Sequence, residues 1–278
     1  DSRPWPCRSP PPPDDASARC PAWPCLSRFS PPKTPDALGY RAEFDFGEVK
    51  LKINGELKKF MLAVFSAPAS GFRWAKLYES ANQQVFIDAH NLFFKKVTGV
   101  YGTIVYDNMR NVIKKFIGRN EKELNDELVK LAIFYGFTPV VTNAFSGNEK
   151  GHVEQSVKHV RNKAFTKIYT FNSLISAQQH LDDTLSFLNQ SSSINAEIPY
   201  LTTKFSDFEH SIVSCHTVNK YSFISLGRNF YSVPEYLVGK HVTVKKYLSD
   251  IRVVYQGNFI CQHSLLQGNG EYQIDIKH

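Results

Sequence analysis

A strand–turn–strand pattern over residues 41–67 most constrains the fold of this chain. Apolar and charged residues alternate in RAEFDFGEVKLKI, with Phe44 on one face and Asp45 on the other. The turn at Asn54–Glu56 follows, and KKFMLAVFSA then has the composition of a partner strand. The pattern therefore predicts a long antiparallel hairpin.

The segments after the hairpin alternate between strand and helix patterns. FRWAKLYES predicts a third strand, and ANQQVFIDAHNLFFKKVTG places apolar residues at helical spacing and ends at a glycine. Next come a buried strand in GTIVYDN, a long helix through EKELNDELVKLAIFYG, a short strand in FTPVVTN and a helix that begins near Asn148. This order predicts an α/β fold in which a mixed sheet has helices on its faces.

The last third of the chain has a different pattern. Five short runs are separated by turns rich in Gly, Asn and Asp: NFYSVP, HVTVKKY, DIRVVYQ, NFICQHS and EYQIDI. Short strands at this spacing indicate a small all-β barrel. We therefore predict four regions: a lead over 1–38, an α/β core over 39–175, a helical connector over 176–215 and a barrel over 216–278.

The first 38 residues hold 11 of the 15 prolines and show neither helical nor strand periodicity. Proline removes backbone donors and blocks helices, so this stretch is predicted to be a disordered or extended lead. Its composition contrasts with the chain that follows. Two origins stay open: a non-native junction, or a native proline-rich ligand for a partner.

Composition and charge limit the classes of function. The chain has 278 residues with a net charge of +7 and a pI of about 9.0, which permits nucleic-acid binding without proving it. It has no run of eighteen apolar residues and no signal-peptide core, so no membrane span is predicted. The five cysteines are scattered, which indicates a reducing, intracellular location, and we expect a cytoplasmic protein.

Three acidic residues fall where a site can assemble. Asp45 lies in the first strand, Asp107 follows the buried run TIVY, and Glu154 lies on the helix after the fifth strand. If the first and fourth strands are neighbours, the two aspartates lie side by side and the helix brings Glu154 over them. Crowded carboxylates repel one another unless a divalent cation compensates, and Mg²⁺ is the usual choice beside phosphate. The three residues are therefore candidate ligands of two metal ions.

Each of the three carboxylates also has a structural interpretation. Asp45 fits the solvent side of an alternating strand, and Asp107 fits the cap of a following helix. Glu154 fits a surface salt bridge with Lys150 and Lys158 at four-residue spacing, which contributes only tenths of a kcal/mol. The residues alone do not decide between these interpretations and a metal site.

Three segments, in this order, resemble the catalytic core of IstA-type insertion-sequence transposases: AEFDFGEV, IVYDNMRNVI and GNEKGHVEQSVKHVR. The similarity runs from about Tyr40 to the C-terminus, because RNFYSVPEYLVGKHVTVKKY looks like that family's C-terminal barrel. The resemblance implies a ribonuclease-H-like fold and an acidic catalytic triad at Asp45, Asp107 and Glu154. It also implies two bound Mg²⁺ or Mn²⁺ ions, with the two aspartates bridging the metals and Glu154 completing the second site.

The family resemblance implies DNA cleavage followed by attack of the freed 3′ hydroxyl on target DNA. It implies four kinds of partner: the element ends, the target DNA, further copies of the chain and an AAA+ helper ATPase. Such proteins associate with the bacterial nucleoid. The family normally begins with helix-turn-helix segments, and the proline-rich lead takes their place here. We therefore expect that recognition of element ends is impaired, as in a truncated copy.

Basic residues surround the predicted glutamate. No acidic residue occurs from Gln155 to Leu181, and five cations are candidate DNA contacts: Lys150, Lys158, Arg161, Lys163 and Lys167. The helical spacing puts Lys150, Lys158 and Arg161 on one face with Glu154. Lys245 and Lys246 in the predicted barrel are further candidates, although a protein-contact module explains them nearly as well. Phosphate contacts of this kind supply affinity but not sequence choice.

Three functions remain distinguishable by experiment. A DNA transposase joins DNA strands in a metal-dependent reaction that needs the carboxylates. A truncated, non-catalytic DNA-binding or assembly module binds DNA in a salt-sensitive way that is indifferent to them. A nuclease on the same fold cleaves without joining, but it leaves the C-terminal strands unexplained.

Overall fold

The computed structural model describes residues 37–116, 122–142, 147–203 and 206–278, with the backbone alone at Phe116 and over 147–154. The predicted proline-rich lead lies outside these ranges. Within them, no helix is both long and apolar enough to cross a membrane.

The predicted hairpin opens the fold. Strands β1 (Arg41–Ile53) and β2 (Glu56–Ala67) pair antiparallel, and Ile53 lies opposite Glu56. The two residues between them, Asn54 and Gly55, have φ values of 50° and 85°. Two positive φ angles give a turn whose twist matches that of the strands, which is why an Asn-Gly pair is found here. Strand β3 (Phe72–Tyr78) continues the antiparallel sheet beside β2.

Parallel strands extend the sheet on the other side of β1. After helix α1 (Gln83–Val97), strand β4 (Thr103–Tyr106) pairs parallel with β1. Helix α2 (Asp126–Tyr135) then leads to β7 (Thr138–Val141), which pairs parallel with β4. The strand order is β3-β2-β1-β4-β7, so the predicted mixed α/β sheet is confirmed.

The prediction of one long helix over 121–136 is wrong at its N-terminal end. Strands β5 (Ile113–Phe116) and β6 (Lys122–Leu124) form a small hairpin, and α2 begins only at Asp126. The side chain of Asn125 caps the helix by accepting a hydrogen bond from the Glu127 N–H at 3.0 Å. Lysine and glutamate are good helix formers, so the pattern alone extends the helix through β6.

Helices cover both faces of the sheet. Helix α1 packs on the face of Phe44 and Phe65, and the Phe65 ring stacks on Phe93 at 4.0 Å between centroids. Helices α3 (Gly147–Phe165) and α4 (Leu174–Leu188) cover the opposite face. Between them the short strand β8 (Thr170–Phe171), which was not predicted, pairs with the end of β1. The central strand β1 is thus buried on both sides.

A buried histidine lies under the end of β4. The His90 Nδ1 atom is 2.7 Å from the Phe86 carbonyl oxygen, and its Nε2 atom is 2.9 Å from the Tyr106 hydroxyl. The ring is therefore a neutral imidazole that donates from Nδ1 and accepts at Nε2. Burial lowers the pKa of His90 from 6.5 to about 3, while the bond to Phe86 acts in the opposite direction.

His90 predicts a loss of stability in acid. The unfolded chain takes up a proton near pH 6.5 and the folded chain does not, so the stabilisation is present above that pH and is lost toward pH 3. The slope is about 1.4 kcal/mol per pH unit. Urea unfolding at pH 7.5 and 5.5 should show this loss, and His90→Phe should show a smaller one. An equal loss in the variant would assign the acid sensitivity to other groups.

A buried carboxylate connects the segment after α4 to the sheet. Helix α5 (Ile194–Glu197) ends in a fully buried carboxylate. Glu197 accepts hydrogen bonds from the Gly39 N–H and from the Tyr101 hydroxyl, both at 3.0 Å. This carboxylate therefore ties the entry of β1 to the part of the chain that leads into the C-terminal region.

The C-terminal strands form two open sheets around one core. Strands β9 (Ile212–Thr217), β12 (His241–Lys246), β13 (Asp250–Tyr255) and β14 (Asn258–Ser264) make one sheet, in the order β14-β13-β12-β9. Strands β10 (Phe223–Leu226), β11 (Asn229–Ser232) and β15 (Tyr272–Gln273) make the other. The predicted closed barrel is not confirmed, because no described strand pairing joins one sheet to the other. Alternation and turns predict the strands but not whether their edges meet.

Candidate metal and nucleic-acid site

Asp45 and Asp107 lie at neighbouring positions on paired strands. The last pair in the parallel register of β1 and β4 is Phe44 with Tyr106; Asp45 is the next residue of β1, and Asp107 directly follows the end of β4. Neighbouring strands are about 4.8 Å apart, so the two backbones present their carboxylates side by side. The structure therefore gives the adjacency that the sequence analysis made conditional on the strand order.

Both carboxylates are partly exposed and are held by local hydrogen bonds. The Asp45 Oδ1 atom accepts from the Phe46 N–H at 2.7 Å. The Asp107 Oδ1 atom accepts from the Asn108 N–H at 2.7 Å and lies 3.4 Å from the Thr142 hydroxyl on the chain after β7. These bonds orient one oxygen atom of each carboxylate.

The local structure around the aspartates bears on their alternative interpretations. No helix begins directly after Asp107: the Met109 N–H bonds back to the Asp107 carbonyl oxygen, and the chain turns into β5. Asp45 shares its face of β1 with Glu43, which is only 2 % exposed, and with Gly47, so that face is covered by protein. Asp107 is therefore not the cap of a directly following helix, and Asp45 lies on a face of β1 that is partly covered.

Gly47 sets the approach of α3 to the sheet. A Cβ atom at Gly47 would lie 2.3 Å from the Val157 Cγ1 atom, so the helix rests directly on the β1 backbone. One turn further on, the Arg161 guanidinium donates to the Glu48 carbonyl oxygen at 3.1 Å. From the first contact to the second, the residue number rises on both the helix and the strand, so α3 runs parallel to β1.

This alignment brings the start of α3 toward Asp45. Glu154 precedes Val157 by about 4.5 Å along the helix axis, and Asp45 precedes Gly47 by about 6.6 Å along the strand. The helix backbone at Glu154 therefore lies alongside the strand at Asp45. The side chains of Lys150 and Glu154 lie outside the described part of the chain, so their roles stay predictions.

The donor set fits a hard divalent cation. The described candidates, Asp45 and Asp107, offer carboxylate oxygens, and the nearby Thr142 adds a hydroxyl. Oxygen ligands on a partly exposed edge match Mg²⁺ or Mn²⁺, which keep water in their coordination shell. The arrangement does not match a zinc site built from sulfur and nitrogen ligands.

A cysteine–histidine cluster elsewhere is explained without a metal. Ligand atoms of Cys261, His263 and His278 lie within 4.8 Å of one another. However, His263 Nε2 bonds the Ser232 carbonyl oxygen at 2.7 Å, and His278 Nδ1 lies 2.8 Å from the Ser232 hydroxyl. Burial, followed by the charge of Asp275, raises the pKa of the Cys261 thiol to about 11, so the thiol carries its proton near neutral pH. The cluster anchors the end of the chain to β11.

The predicted DNA contacts divide into three places. Lys158, Lys163 and Lys167 line one groove of 880 Å³ on the outer side of α3. Arg161 instead donates a hydrogen bond to the Glu48 carbonyl oxygen of β1. Arg161 and Lys158, which were predicted to share one helical face, therefore line two different cavities. Lys245 and Lys246 lie half-buried on β12, in the C-terminal sheet.

The sequence analysis missed two residues that shape the site. Arg73 of β3 forms the far wall of the α3 groove, and Gly47 admits the helix. A glycine inside an alternating strand is a signal for close backbone approach, so Gly47 was detectable. Arg73 carries no such signal, because its placement depends on which strand lies beside the helix.

The comparisons with known proteins agree with the motifs. A family model described as "Mu transposase, C-terminal domain" matches residues 206–275. A transposase of Aminobacter aminovorans is 28% identical over 236 residues, covering 81% of this chain and 46% of the relative. The chain is thus related to transposases, as its motifs predicted.

The relatives also point to a particular group. The transposase for insertion sequence element IS21 of Pseudomonas aeruginosa is 24% identical over 257 residues, covering 86% of this chain and 64% of the relative. The resemblance to IstA-type insertion-sequence transposases is therefore confirmed. The chain spans about half to two thirds of the length of these relatives.

The catalytic core domain of HTLV-2 integrase in complex with magnesium is a distant structural neighbour. It is 16% identical and covers 58% of this chain and 96% of that domain, with a TM-score of 0.41. The relation to transposases rests on the sequence relatives, not on this similarity.

Proposed function

We propose that this chain is the catalytic region of a DNA transposase that cleaves DNA and transfers a 3′ hydroxyl to a target phosphodiester. The observation that carries the proposal is the placement of Asp45 and Asp107 at adjacent strand positions, with α3 aligned over them. The relation to transposases supports the reaction class. The ribonuclease-H-like fold and the four predicted regions belong to the same proposal.

The carboxylates act as the metal-binding residues. Asp45 and Asp107 hold and orient the cations, and Glu154 completes the ligand set. Two bound Mg²⁺ or Mn²⁺ ions supply activation of the attacking oxygen and neutralisation of charge on the leaving oxygen. The Thr142 hydroxyl and the Asn108 N–H hold Asp107 in place, which limits the reorganisation needed when substrate arrives.

The basic residues bind the substrate. Lys150, Lys158, Lys163 and Lys167 of α3 contact DNA phosphates beside the carboxylates. Arg161 belongs to the same helix and donates a hydrogen bond to the Glu48 carbonyl oxygen of β1. Lys245 and Lys246 extend the contact to the C-terminal sheets. The substrates are the element ends and the target DNA, and the partners are further copies of the chain and an AAA+ helper ATPase. Association with the nucleoid follows from a DNA substrate.

A strand-joining assay tests the proposal. The 278-residue chain is mixed with a labelled duplex bearing a free 3′ hydroxyl and a supercoiled plasmid, in Mg²⁺, Mn²⁺ or EDTA. We expect joined products with either cation and none in EDTA. Nicking without joining would favour the nuclease, and salt-sensitive binding without any cleavage would favour the non-catalytic module.

A further inference from the structure

Arg73 and α3 enclose an open groove that begins beside the carboxylate site. We call it the Arg73 groove: Arg73 of β3 lines one side, and Lys158, His159, Lys163 and Lys167 of α3 line the other. Gln155 and Ser156, which directly follow Glu154, form its near end. The groove is therefore continuous with the start of α3, where the helix backbone passes Asp45.

The charge in the groove is of one sign. Four permanent cations line it, and no carboxylate does so in the part of the chain that the structure describes. Cations that face a shared cavity attract a polyanion, and this attraction depends on salt.

Arg73 is a positioned side chain, not a mobile surface cation. Its backbone N–H and carbonyl oxygen both bond the Asn189 side chain at the end of α4, at 2.9 and 2.7 Å. Its Nη1 atom donates to the Gly71 carbonyl oxygen at 3.2 Å, and its Nε atom is buried with no partner among the described residues. The backbone of Arg73 is thus held beside the groove, and its guanidinium, which makes one bond to Gly71, has donor capacity left over.

The sheet register gives the distance from the carboxylates to Arg73. Glu43 pairs with Ser66 and Ser66 with Arg73, so these three residues form one row across β1, β2 and β3. Asp45 lies two residues further along β1. With strands about 4.8 Å apart and about 3.3 Å per residue, the Cα atoms of Asp45 and Arg73 are about 12 Å apart. At about 3.4 Å per nucleotide along one DNA strand, this corresponds to three or four nucleotides.

From this placement we propose that the Arg73 groove binds the backbone of the DNA strand that passes the carboxylate site. Arg73 contacts a phosphate about three or four nucleotides from the scissile one. The inference rests on the proposed function in taking DNA as the substrate. To the proposed function, the inference adds a DNA contact from β3 and the direction in which the DNA strand leaves the carboxylate site. The contact is to phosphate, so it supplies affinity without base preference.

The environment of His159 supports an anion in the groove. Partial burial, followed by the charges of Arg73 and Lys163, lowers the pKa of His159. A phosphate in the groove offsets those charges and raises the pKa of this imidazole again. His159 is therefore a reporter of occupancy that does not depend on catalysis.

Binding assays in EDTA test the proposal without the metal reaction. The 278-residue chain is titrated against a fluorescent duplex with a single-stranded tail at several salt concentrations, alongside Arg73→Gln, Lys163→Gln and the control Lys130→Gln. Lys130 is an exposed cation of α2, outside the groove, that pairs with Glu127. Arg73→Gln and Lys163→Gln should each lower the slope of log affinity against log salt by about 0.7 to 0.9 and weaken binding about threefold to tenfold at 0.1 M salt. The control should match the wild type.

A phosphate scan locates the contact. Uncharged methylphosphonates are placed one at a time along the strand, on both sides of the junction. The position about three or four nucleotides away should weaken wild-type binding and have no further effect on Arg73→Gln. The pKa of His159, followed by NMR, should rise when DNA is added.

Three results would overturn the groove proposal: no DNA binding by the wild-type chain at low salt, unchanged salt slopes in both variants, or equal methylphosphonate effects with and without Arg73. Lys163 is exposed, so its variant remains informative if Arg73→Gln is unstable. A failure of strand joining leaves these binding results intact, so the two proposals fail separately.

Discussion

Replacing Asp107 by asparagine is expected to reduce metal-dependent strand joining by about 100-fold to 1000-fold, because a metal-binding charge is lost. Asparagine keeps the size of the side chain and an Oδ1 acceptor. The bonds from the Asn108 N–H and the Thr142 hydroxyl, at 2.7 and 3.4 Å in the native chain, can therefore persist. The loss should appear in the rate of joining at saturating DNA, with DNA affinity in EDTA little changed.

The matched control is Asp126→Asn. Asp126 is an exposed carboxylate on α2 that pairs with Lys114 at 3.0 Å, away from the β1–β4 edge. It should join DNA at the wild-type rate, and thermal unfolding should show both variants folded. Full joining by Asp107→Asn in Mg²⁺ would contradict a metal-binding role for this residue and, with it, the proposed function.

Gly47→Ala is expected to lower joining by about 100-fold, because a displacement of about 1 Å at a catalytic group has an effect of that order. The new Cβ would lie 2.3 Å from Val157 Cγ1, so the Val157 side chain has to shift, and we expect α3 to move away from β1 with it. That movement carries Glu154 away from Asp45 while leaving the aspartate pair unchanged. Overpacking of this kind also destabilises the fold by about 1–3 kcal/mol, measurable by urea unfolding.

A second substitution separates positioning from simple destabilisation. Val157→Ala removes the clashing Cγ1 atom, so Gly47→Ala with Val157→Ala should recover much of the joining rate that Gly47→Ala loses. Gly102→Ala is the control, because a Cβ there lies 3.6 Å from its nearest neighbour, the Tyr40 carbonyl oxygen. If the double variant is no more active than Gly47→Ala alone, the contact between helix and strand does not set the catalytic geometry.

Much of the α/β core could be predicted from the sequence, because local signals agree with one another there. The Asn54–Gly55 turn, the alternation along β1 and the buried run of β4 each have a pattern that few other structures share. For the short charged strands β5 and β6, which pair with each other, helix propensity predicts the wrong secondary structure. The closure of the C-terminal sheets depends on long-range edge pairing, which no local pattern encodes.

The site was predictable to the extent that it depends on strand order. The adjacency of Asp45 and Asp107 follows once β1 and β4 are neighbours, and the motifs suggested that order. The spacing of basic residues did not predict which cavity each one lines. Arg161 turned inward to the β1 backbone, and Arg73 joined the lysines from a strand over eighty residues earlier. Such partners are set by how the helix lies on the sheet.

The close packing of α3 on Gly47 limits which insertions and deletions the gene can accept. Glu154 precedes Val157 by three positions, and each added or deleted residue rotates the preceding part of a helix by about 100°. A one-codon insertion there would leave the packed end of α3 in place and turn Glu154 away from β1. The β5–β6 connection carries no such constraint, since it joins two short strands outside the main sheet. Length variation among relatives should therefore accumulate in that hairpin and be absent between Glu154 and Val157.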